Sequence, residues 1–282
     1  MATDEGSLPD LRSVGIFLGP YRNLTTLTAS VLGLHPHCQV LNHAGVRILG
    51  NPLLDFFVAS DTAVFREFCR FAVTASASGL PGRHGGSIRH SHAFGARHEV
   101  SRLYADRFGE TDLKSRIVTL VWKESLDVSR HIRQHAVDVA ALLKKHAELR
   151  FLMPVRHPID CAYSNIASKH ARSLVRERPI SFEKVLAAVI DELCWFAALR
   201  ESAPDRMLLF FEYEIGRPLI RQLQTFLELE ADEEWTEAAS RALVSKKHYD
   251  RNPAAIEAFR RILAEKCAAH PDLHSALAEF VA

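Results

Sequence analysis

The segment from Val14 to Leu27 constrains this chain most, because an apolar stretch runs into a short turn and then directly into a helical pattern. A strand, turn and helix in this order direct several backbone N–H groups at one point, which suits a phosphate or a similar anion. Compared with the nucleotide-triphosphate loop G-x-x-x-x-G-K-[ST], Gly19 fits, but Leu24 replaces the second glycine and Thr25 replaces the lysine. Without that lysine the β- and γ-phosphates lose their cation, so ATP and GTP are disfavoured. Arg22 lies inside the turn, where it could meet a charged group attached to the phosphate.

A second segment has the form of another anion site. The apolar stretch Leu149–Val155 predicts a buried strand, and Pro158 suits the first turn of the helix that follows. Arg156 then lies at the carboxyl end of the strand and Ser164 one to two turns into the helix, where they could hold a phosphate. Two phosphate sites, one of them without the triphosphate lysine, indicate a nucleotide with separate 5′ and 3′ phosphates.

Apolar runs that alternate with helical patterns predict the fold. The predicted strands are Val14–Leu18, Gln39–Leu41, Ile117–Trp122, Leu149–Val155 and Met207–Phe211. The predicted helices include Leu27–Leu34, Ala63–Ala75, Ser129–His146, Phe182–Glu201 and Pro218–Leu227. This alternation predicts a three-layer α/β/α fold with a central parallel sheet, followed by a helical C-terminal part after residue 230. We expect one domain over residues 1–282, with a flexible N-terminus at 1–12. Ligands are expected at the carboxyl ends of the strands, where Arg22, His43, Lys123 and Arg156 fall.

With these elements placed, the chain resembles the sulfotransferases that use 3′-phosphoadenosine 5′-phosphosulfate (PAPS). The 5′ signature of that family, roughly R-S-G-T-T-L followed by a helix and H-P, is similar to Arg22–Leu27 and His35-Pro36. Its 3′ signature, R-D-P-x-x-x-x-x-S, is similar to Arg156–Ser164. A later pattern, a tyrosine-glutamate after a strand and then a helix ending in F-L-x-L, is similar to Phe211–Glu214 and Phe226–Leu229. The resemblance implies the P-loop-like sulfotransferase fold and PAPS as the sulfuryl donor.

The resemblance also implies roles for particular residues. The residues that it places at the cofactor are Arg22, Asn23, Leu24, Thr25 and Thr26 at the 5′-phosphosulfate, Arg156 and Ser164 at the 3′-phosphate, Tyr213 nearby, and Lys246 and Lys247 in a basic loop that closes over the 3′-phosphate. It makes His43 the base for the acceptor, Lys123 the cation on the sulfuryl oxygens, and Arg22 the cation on the leaving phosphate.

Three positions depart from the family signatures. Leu24 replaces a glycine whose positive φ is costly for leucine. Asn23 replaces a serine, and His157 replaces the aspartate of the 3′ signature. Either the 5′ loop is reshaped while it keeps its N–H groups, or cofactor binding is impaired. A non-catalytic sulfotransferase-like binding protein is therefore one alternative, and a P-loop small-molecule kinase is another.

The catalytic assignments have alternatives as well. Histidine titrates near neutral pH, so His43 can act as a base without a large pKa shift, but it could instead cap the next helix. Glu124 is the rival base, because a one-residue slip in register would exchange its direction with that of Lys123. Lys123 and Glu124 could equally form a surface pair. The account requires no metal, because the sulfuryl group of the donor carries less charge than a terminal phosphoryl group.

The segment 76–98 is rich in glycine, serine, arginine and histidine, as expected of a functional or solvated loop. In the functional interpretation it binds the acceptor, and Arg83, Arg89 and Arg97 meet an anionic or hydroxyl-rich substrate. In the other it is a solvated surface loop. A zinc site is a third option, although the histidine spacings lack a clear ligand pattern and no cysteine is near.

Composition bounds the class of protein. Lysine plus arginine is 35 against 34 acidic residues, so a global basic field for nucleic acid is absent. No run of the sequence approaches the ~20 apolar residues of a transmembrane helix. The beginning of the chain has no apolar signal region, and the five cysteines lack a C-x-x-C pair. We therefore expect a cytoplasmic protein with buried, reduced cysteines. Carbohydrate, lipid, peptide and small-molecule acceptors such as phenols all stay open.

Overall fold

The central sheet lies at the core of the computed structural model, which describes residues 10–95, 98–245 and 247–282. Within these ranges the sheet has six strands, in the spatial order β3-β2-β4-β1-β5-β6. The strands are β1 Ser13–Phe17, β2 Cys38–Asn42, β3 Gly86–Ser87, β4 Thr119–Lys123, β5 Leu149–Val155 and β6 Met207–Phe211. Neighbouring strands are parallel, except that β3 pairs with β2 in the antiparallel direction.

Helices account for most of the remaining described chain. The helices are α1 Thr25–Leu32, α2 Gly45–Ile48, α3 Phe56–Ala59, α4 Thr62–Ser78, α5 Glu99–Phe108, α6 Leu126–Gln134, α7 Val139–Lys145, α8 Pro158–Ala167, α9 Ala171–Leu174, α10 Phe182–Ser202, α11 Arg217–Phe226, α12 Glu233–Ala242, α13 Pro253–Lys266 and α14 Pro271–Ala278. Short 3₁₀ turns lie at Ile88–His90, His92–Phe94, Pro204–Arg206, Glu212–Glu214 and Glu279–Val281. No helix of the described ranges combines the length and the apolar character that a membrane crossing needs.

The sheet is buried on both faces, as the apolar strands predict. On one face, Ile16, Trp122 and Phe151 join the core formed with α3, α4, α6, α7, α8, α10, α13 and α14. On the other, Phe17 and Val121 pack with α1, α5, α11 and α12. Successive residues of one strand thus enter different cores, because side chains alternate across a strand. The three-layer α/β/α prediction is confirmed, and so is the helical character of the chain after residue 230.

Two elements differ from the sequence-based expectation. The pattern Ser129–His146 predicted one helix, but the chain forms α6 and α7 with a break between them. Ala136 takes a left-handed conformation there (φ 47°), and Asp138 caps α7 by accepting a hydrogen bond from the Ala141 N–H at 2.9 Å. The edge strand β3 was not predicted, because two residues carry no periodic signal.

The order of the strands places a crevice at one end of the sheet. From β1 the chain passes through α1 to β2 on one side, and from β4 it passes through α6 and α7 to β5 on the other. Because β1 and β4 are neighbours and their connections diverge, their carboxyl ends form the kind of switch point where ligands bind in α/β sheets.

Candidate active site

The turn after β1 keeps the geometry of an anion-binding loop despite its sequence. Gly19 has φ 101°, and a Cβ there would lie 2.7 Å from the Met153 methyl carbon, so only glycine fits. Leu24 precedes α1 with φ 64° and ψ 0°, which is the left-handed conformation that a glycine would adopt without strain. No side chain caps α1, so the N–H groups of its first turn are free of a side-chain acceptor among the described residues. In this conformation Leu24 bears a backbone cost of about 1–2 kcal/mol.

The side chain of Asn23 is engaged within the protein and does not line the candidate cofactor cavity. It is fully buried. Its Nδ2 donates to the Pro154 carbonyl, and its Oδ1 accepts from the Arg156 N–H at 2.8 Å. Asn23 therefore ties the 5′ loop to the end of β5, and its side chain acts in holding the two anion motifs together.

The two predicted phosphate motifs meet directly. Arg22 Nε donates to Ser164 Oγ at 3.0 Å, although the two residues are 142 positions apart in the chain. Arg156 is only 5% exposed, and its guanidinium donates to the Lys247 carbonyl. Its Nε is buried and has no hydrogen-bond partner within the described residues. A buried guanidinium nitrogen without an acceptor is the expected state of an arginine whose acceptor is a ligand.

His157 replaces the aspartate of the family signature and caps α8. Its Nδ1 accepts from the Ile159 N–H at 3.2 Å, and its Nε2 donates to the Phe280 carbonyl at 3.2 Å. Burial lowers the pKa of His157 to about 4, and Arg251 contributes in the same direction. The ring is therefore neutral near pH 7, with the tautomer that both contacts require.

The basic loop after α12 is fastened to α8 through Asp160. This fully buried carboxylate accepts from Arg251 Nη2 at 2.8 Å and from its Nε at 3.1 Å, and His248 Nδ1 lies 3.4 Å away. Burial raises the pKa of Asp160, but Arg251, His157 and Arg156 outweigh it and hold that pKa below its usual value. The loop is thereby fixed over Arg156. Lys246, one of the two predicted clamp lysines, lies outside the described residues.

A cavity of about 440 Å³ opens between the 5′ loop, α5 and the basic loop. Its charged and hydroxyl groups include Arg22, Thr25, Thr26, Arg156 and Lys247, all predicted cofactor residues. Its apolar side is formed by Leu24, Leu27, Ala93, Val100, Ala242 and Val244. The cavity thus combines two clusters of anion-binding groups with an apolar wall.

Sequence reasoning missed several residues of this cavity. His92, Arg241 and Ser245 line it. Tyr249 lies beside it, with its ring centroid 4.8 Å from Lys247 Nζ and 5.9 Å from the Arg156 guanidinium carbon. These residues belong to no family signature. The packing of α12 and its following loop brings Arg241, Ser245 and Tyr249 to the cavity, and the 3₁₀ turn His92–Phe94, which contacts α1, brings His92.

Tyr213 is not brought to this cavity. Its hydroxyl donates to the Ala276 carbonyl at 3.0 Å, and its ring packs edge-on against Phe280. It instead lines a separate cavity on the other side of the basic loop. The C-terminal helix α14 turns it away from the 5′ and 3′ motifs, so Tyr213 is withdrawn from the candidate cofactor residues.

The turn after β2 holds His43 beside the end of β4. His43 has φ 64°; its N–H donates to the Lys123 carbonyl at 3.0 Å, and its own carbonyl accepts from Trp122 Nε1. Its Nδ1 lies 3.7 Å from Glu124 Oε2, and its Nε2 lies 3.3 Å from Lys123 Nζ. Ala44, not His43, precedes α2, so the histidine is no helix cap.

The charges around His43 favour a deprotonated Glu124, which is buried, whereas the imidazole of His43 is accessible. Burial raises the pKa of Glu124, but the contacts of its carboxylate with His43, Lys123 and the Gly45 N–H outweigh this and lower it overall. Burial lowers the pKa of Lys123 to about 8; Arg22 acts in the same direction, while Glu124 opposes both. The His43 side chain is 34% exposed against 6% for Glu124. The lysine and the glutamate are buried, so they do not form a surface pair.

A second cavity, of about 560 Å³, contains this cluster. It shares Arg22, Thr25, Thr26 and His92 with the first cavity, so the two meet at the 5′ loop. His43, Lys123 and Glu124 lie on its wall. The predicted base and cation are therefore within reach of a group bound at the junction of the cavities.

The arginines of segment 76–98 do not all take the predicted role. Arg83 lines the second cavity, whereas Arg89 is turned away by ion pairs with Glu110 at 2.6 Å and with Asp112 at 3.4 Å. Arg97 lies outside the described residues. In the described ranges, no group of three histidine, cysteine, aspartate or glutamate side chains is arranged to hold a metal ion.

No protein-family model and no curated protein matches this chain. Among solved structures, the chain is similar to mouse sulfotransferase SULT7A1 complexed with PAP, at 13% identity and a TM-score of 0.44, over 96% of this chain and 88% of that one. It is similar to the sulfotransferase domain of the Synechococcus PCC 7002 olefin synthase (16% identity, TM-score 0.40, 92% of this chain and 91% of that one). It is also similar to sulfotransferase STF9 from Mycobacterium avium (17%, TM-score 0.40, 93% and 77%). These proteins are of the class that the sequence motifs resemble.

Proposed function

We propose that this protein transfers a sulfuryl group from PAPS to a hydroxyl or amine of an acceptor. The observation that carries the proposal is the contact of Arg22 with Ser164 at 3.0 Å. It joins the 5′ and 3′ anion motifs at one cavity, and that cavity meets the wall that holds His43 and Lys123.

The residues of the first cavity fit a nucleotide with two separate phosphates. The uncapped first turn of α1, together with Arg22, Thr25 and Thr26, would hold the 5′-phosphosulfate. Arg156, whose buried Nε lacks an acceptor, would hold the 3′-phosphate with Ser164. Lys247 would add charge from the basic loop. Thr25 at the lysine position of the triphosphate loop argues against a kinase.

The residues of the second cavity supply the groups that proton removal and charge compensation need. When bound, the donor would supply the sulfuryl group, which leaves its phosphate oxygen as the acceptor oxygen or nitrogen bonds to sulfur. His43 Nε2 would take the acceptor proton. Lys123 Nζ lies 3.3 Å from that nitrogen, where it would donate a hydrogen bond to Nε2 until an acceptor hydroxyl replaces it.

Glu124 would act behind His43 rather than as the base. Its buried carboxylate faces Nδ1, so it would hold the proton on that nitrogen and offset the positive charge that the ring gains. Lys123 and Arg22 would offset the negative charge on the sulfuryl oxygens and the leaving phosphate. This arrangement gives His43 and Glu124 distinct roles.

The proposal is tested by calorimetric titration of the purified protein with 3′-phosphoadenosine 5′-phosphate (PAP), adenosine 5′-phosphate and ATP. We expect PAP to bind most tightly, because it alone of the three reaches both anion motifs. Stronger binding of ATP with Mg²⁺ would favour the kinase. No binding of any nucleotide would favour a non-catalytic protein in which Leu24 obstructs the site. The cytoplasmic location expected from the sequence stays a prediction.

A further inference from the structure

The second cavity is lined mainly by charged and polar side chains, which restricts the acceptor. Beyond the 5′ loop and the His43 cluster, its wall is completed by Tyr21, Val46, Gly82, Arg83, Asp127, Arg130, His170 and Ser173. Among the described residues, Val46 is the only aliphatic side chain larger than a methyl group in this lining, so the described wall has few apolar side chains for a sterol or a fused-ring phenol. Apolar ligands bind where hydrophobic and aromatic side chains dominate the lining.

The cavity carries an excess of positive charge. Arginine or lysine side chains stand at four of its positions, against two carboxylates. Glu124 already faces His43, and Asp127 makes no ion pair with an arginine or lysine within the described residues. Arg22 and Lys123 are accounted for by the proposed donor chemistry. Arg83 and Arg130 line this cavity and not the first one, so the donor does not explain them.

Neither of these two arginines makes an ion pair with another residue of the described ranges. Their neighbours differ in this respect. Arg133, one turn beyond Arg130 on α6, pairs with Glu192, and Arg89 pairs with Glu110 and Asp112. Two guanidinium groups that face a cavity without a carboxylate partner are suited to anions from solution, since arginine recognises carboxylate, sulfate and phosphate groups in a bidentate manner.

The position of Arg83 is built by the glycine-rich loop and is not a matter of surface exposure alone. Gly85 has φ 90°, and a Cβ there would lie 2.4 Å from the Ala44 Cβ, so the loop packs directly on the residue after His43. Arg47 Nη1 donates to the His84 carbonyl at 3.4 Å, and Gly86 pairs with Asn42 on β2. The loop therefore places Arg83 on the wall of the cavity that also contains His43.

We propose, on the basis of the sulfuryl transfer proposed above, that the acceptor is an acidic, hydroxyl-rich molecule of the uronate or sulfated-sugar type. Its anionic group lies against Arg83 and Arg130, and one of its hydroxyls lies at His43. His170 and Ser173, which also line the cavity, provide further hydrogen-bonding groups for a sugar ring. A neutral phenol would leave both arginines without an acceptor.

The test uses two sugar probes that differ in charge and a phenol. The PAP-loaded protein is titrated with tetragalacturonate, with its fully methyl-esterified form, which keeps the hydroxyls and lacks the charge, and with 4-nitrophenol. We expect tetragalacturonate to bind about tenfold or more tightly than the ester, the scale of one or more charge-assisted hydrogen bonds. Added salt should reduce that preference, because screening weakens exposed charges.

Variants test whether Arg83 and Arg130 cause the preference for the charged sugar. The double variant Arg83→Gln/Arg130→Gln should bring the two sugar affinities to within about twofold while PAP still binds. The control Arg70→Gln, which removes an exposed arginine of α4, should keep the preference and so exclude an effect of overall charge. Equal binding of the two sugars by the wild type, failure of both to bind, or tighter binding of 4-nitrophenol would overturn the proposed acceptor class. Failure of PAP to bind would instead refute the sulfotransferase function, so the two failures are distinguishable.

Discussion

Replacement of Arg156 by alanine tests the nucleotide specificity that the candidate site implies. The side chain is buried and lines the first cavity, and its Nε has no hydrogen-bond partner within the described residues. Loss of a hydrogen bond to a charged group costs about 1.5–3 kcal/mol, which corresponds to a roughly 10- to 150-fold weaker affinity. We expect that loss for PAP and a change of less than about threefold for adenosine 5′-phosphate, which lacks the 3′-phosphate.

Loss of the Arg156 side chain should not leave the buried Asp160 without a cation. Asp160 lies 3.9 Å from Arg156 but 2.8 Å from Arg251, so its charge stays paired after the substitution. The assay is isothermal calorimetry with both nucleotides on each protein, and the ratio of the two affinities cancels any general loss of folded protein. Arg261→Ala, at an exposed ion pair on α13, is the control and should leave both affinities unchanged. Equal weakening of PAP and adenosine 5′-phosphate by Arg156→Ala would refute the assignment of Arg156 to the 3′-phosphate.

Three further predictions follow from the 5′ loop and the His43 cluster. Leu24→Gly should keep or improve PAP affinity, because glycine adopts φ 64° without the strain that leucine bears; a tenfold loss in titration would contradict this. His43→Ala should lower turnover of PAPS by about 10²–10⁴ with PAP affinity little changed, and Glu124→Gln should lower it less. Near-normal turnover in His43→Ala with none in Glu124→Gln would make Glu124 the base. Turnover should fall as pH rises through about 8, because the lowered pKa of Lys123 means that the side chain loses its charge there. A rate that keeps rising to pH 9.5 would exclude Lys123 as the required cation.

Local patterns were sufficient to predict the layers of the fold. The strands β5 and β6 have the bounds that their apolar runs predict, and Gly19, which fits the loop template, has a positive φ of 101°. His157 shows why a departure from a signature can be harmless, since its Nδ1 caps α8 as an aspartate carboxylate would. These features depend on residues close in sequence, whose backbone conformations and hydrogen bonds a short segment can specify.

The partners of the long polar side chains were decided by packing between distant segments. Arg83 and Arg89 are six residues apart in one loop, yet one faces the second cavity and the other is held by Glu110 and Asp112. Tyr213 matched a family pattern, but its hydroxyl donates to the Ala276 carbonyl of α14 and the residue does not line the first cavity. Such side chains have several rotamers of similar energy, so the charged or apolar group that the fold places opposite them selects the direction. Arg22 and Ser164 meet for the same reason: β1 and β5 are adjacent only in the assembled sheet, and no local signal in either motif reports that neighbour.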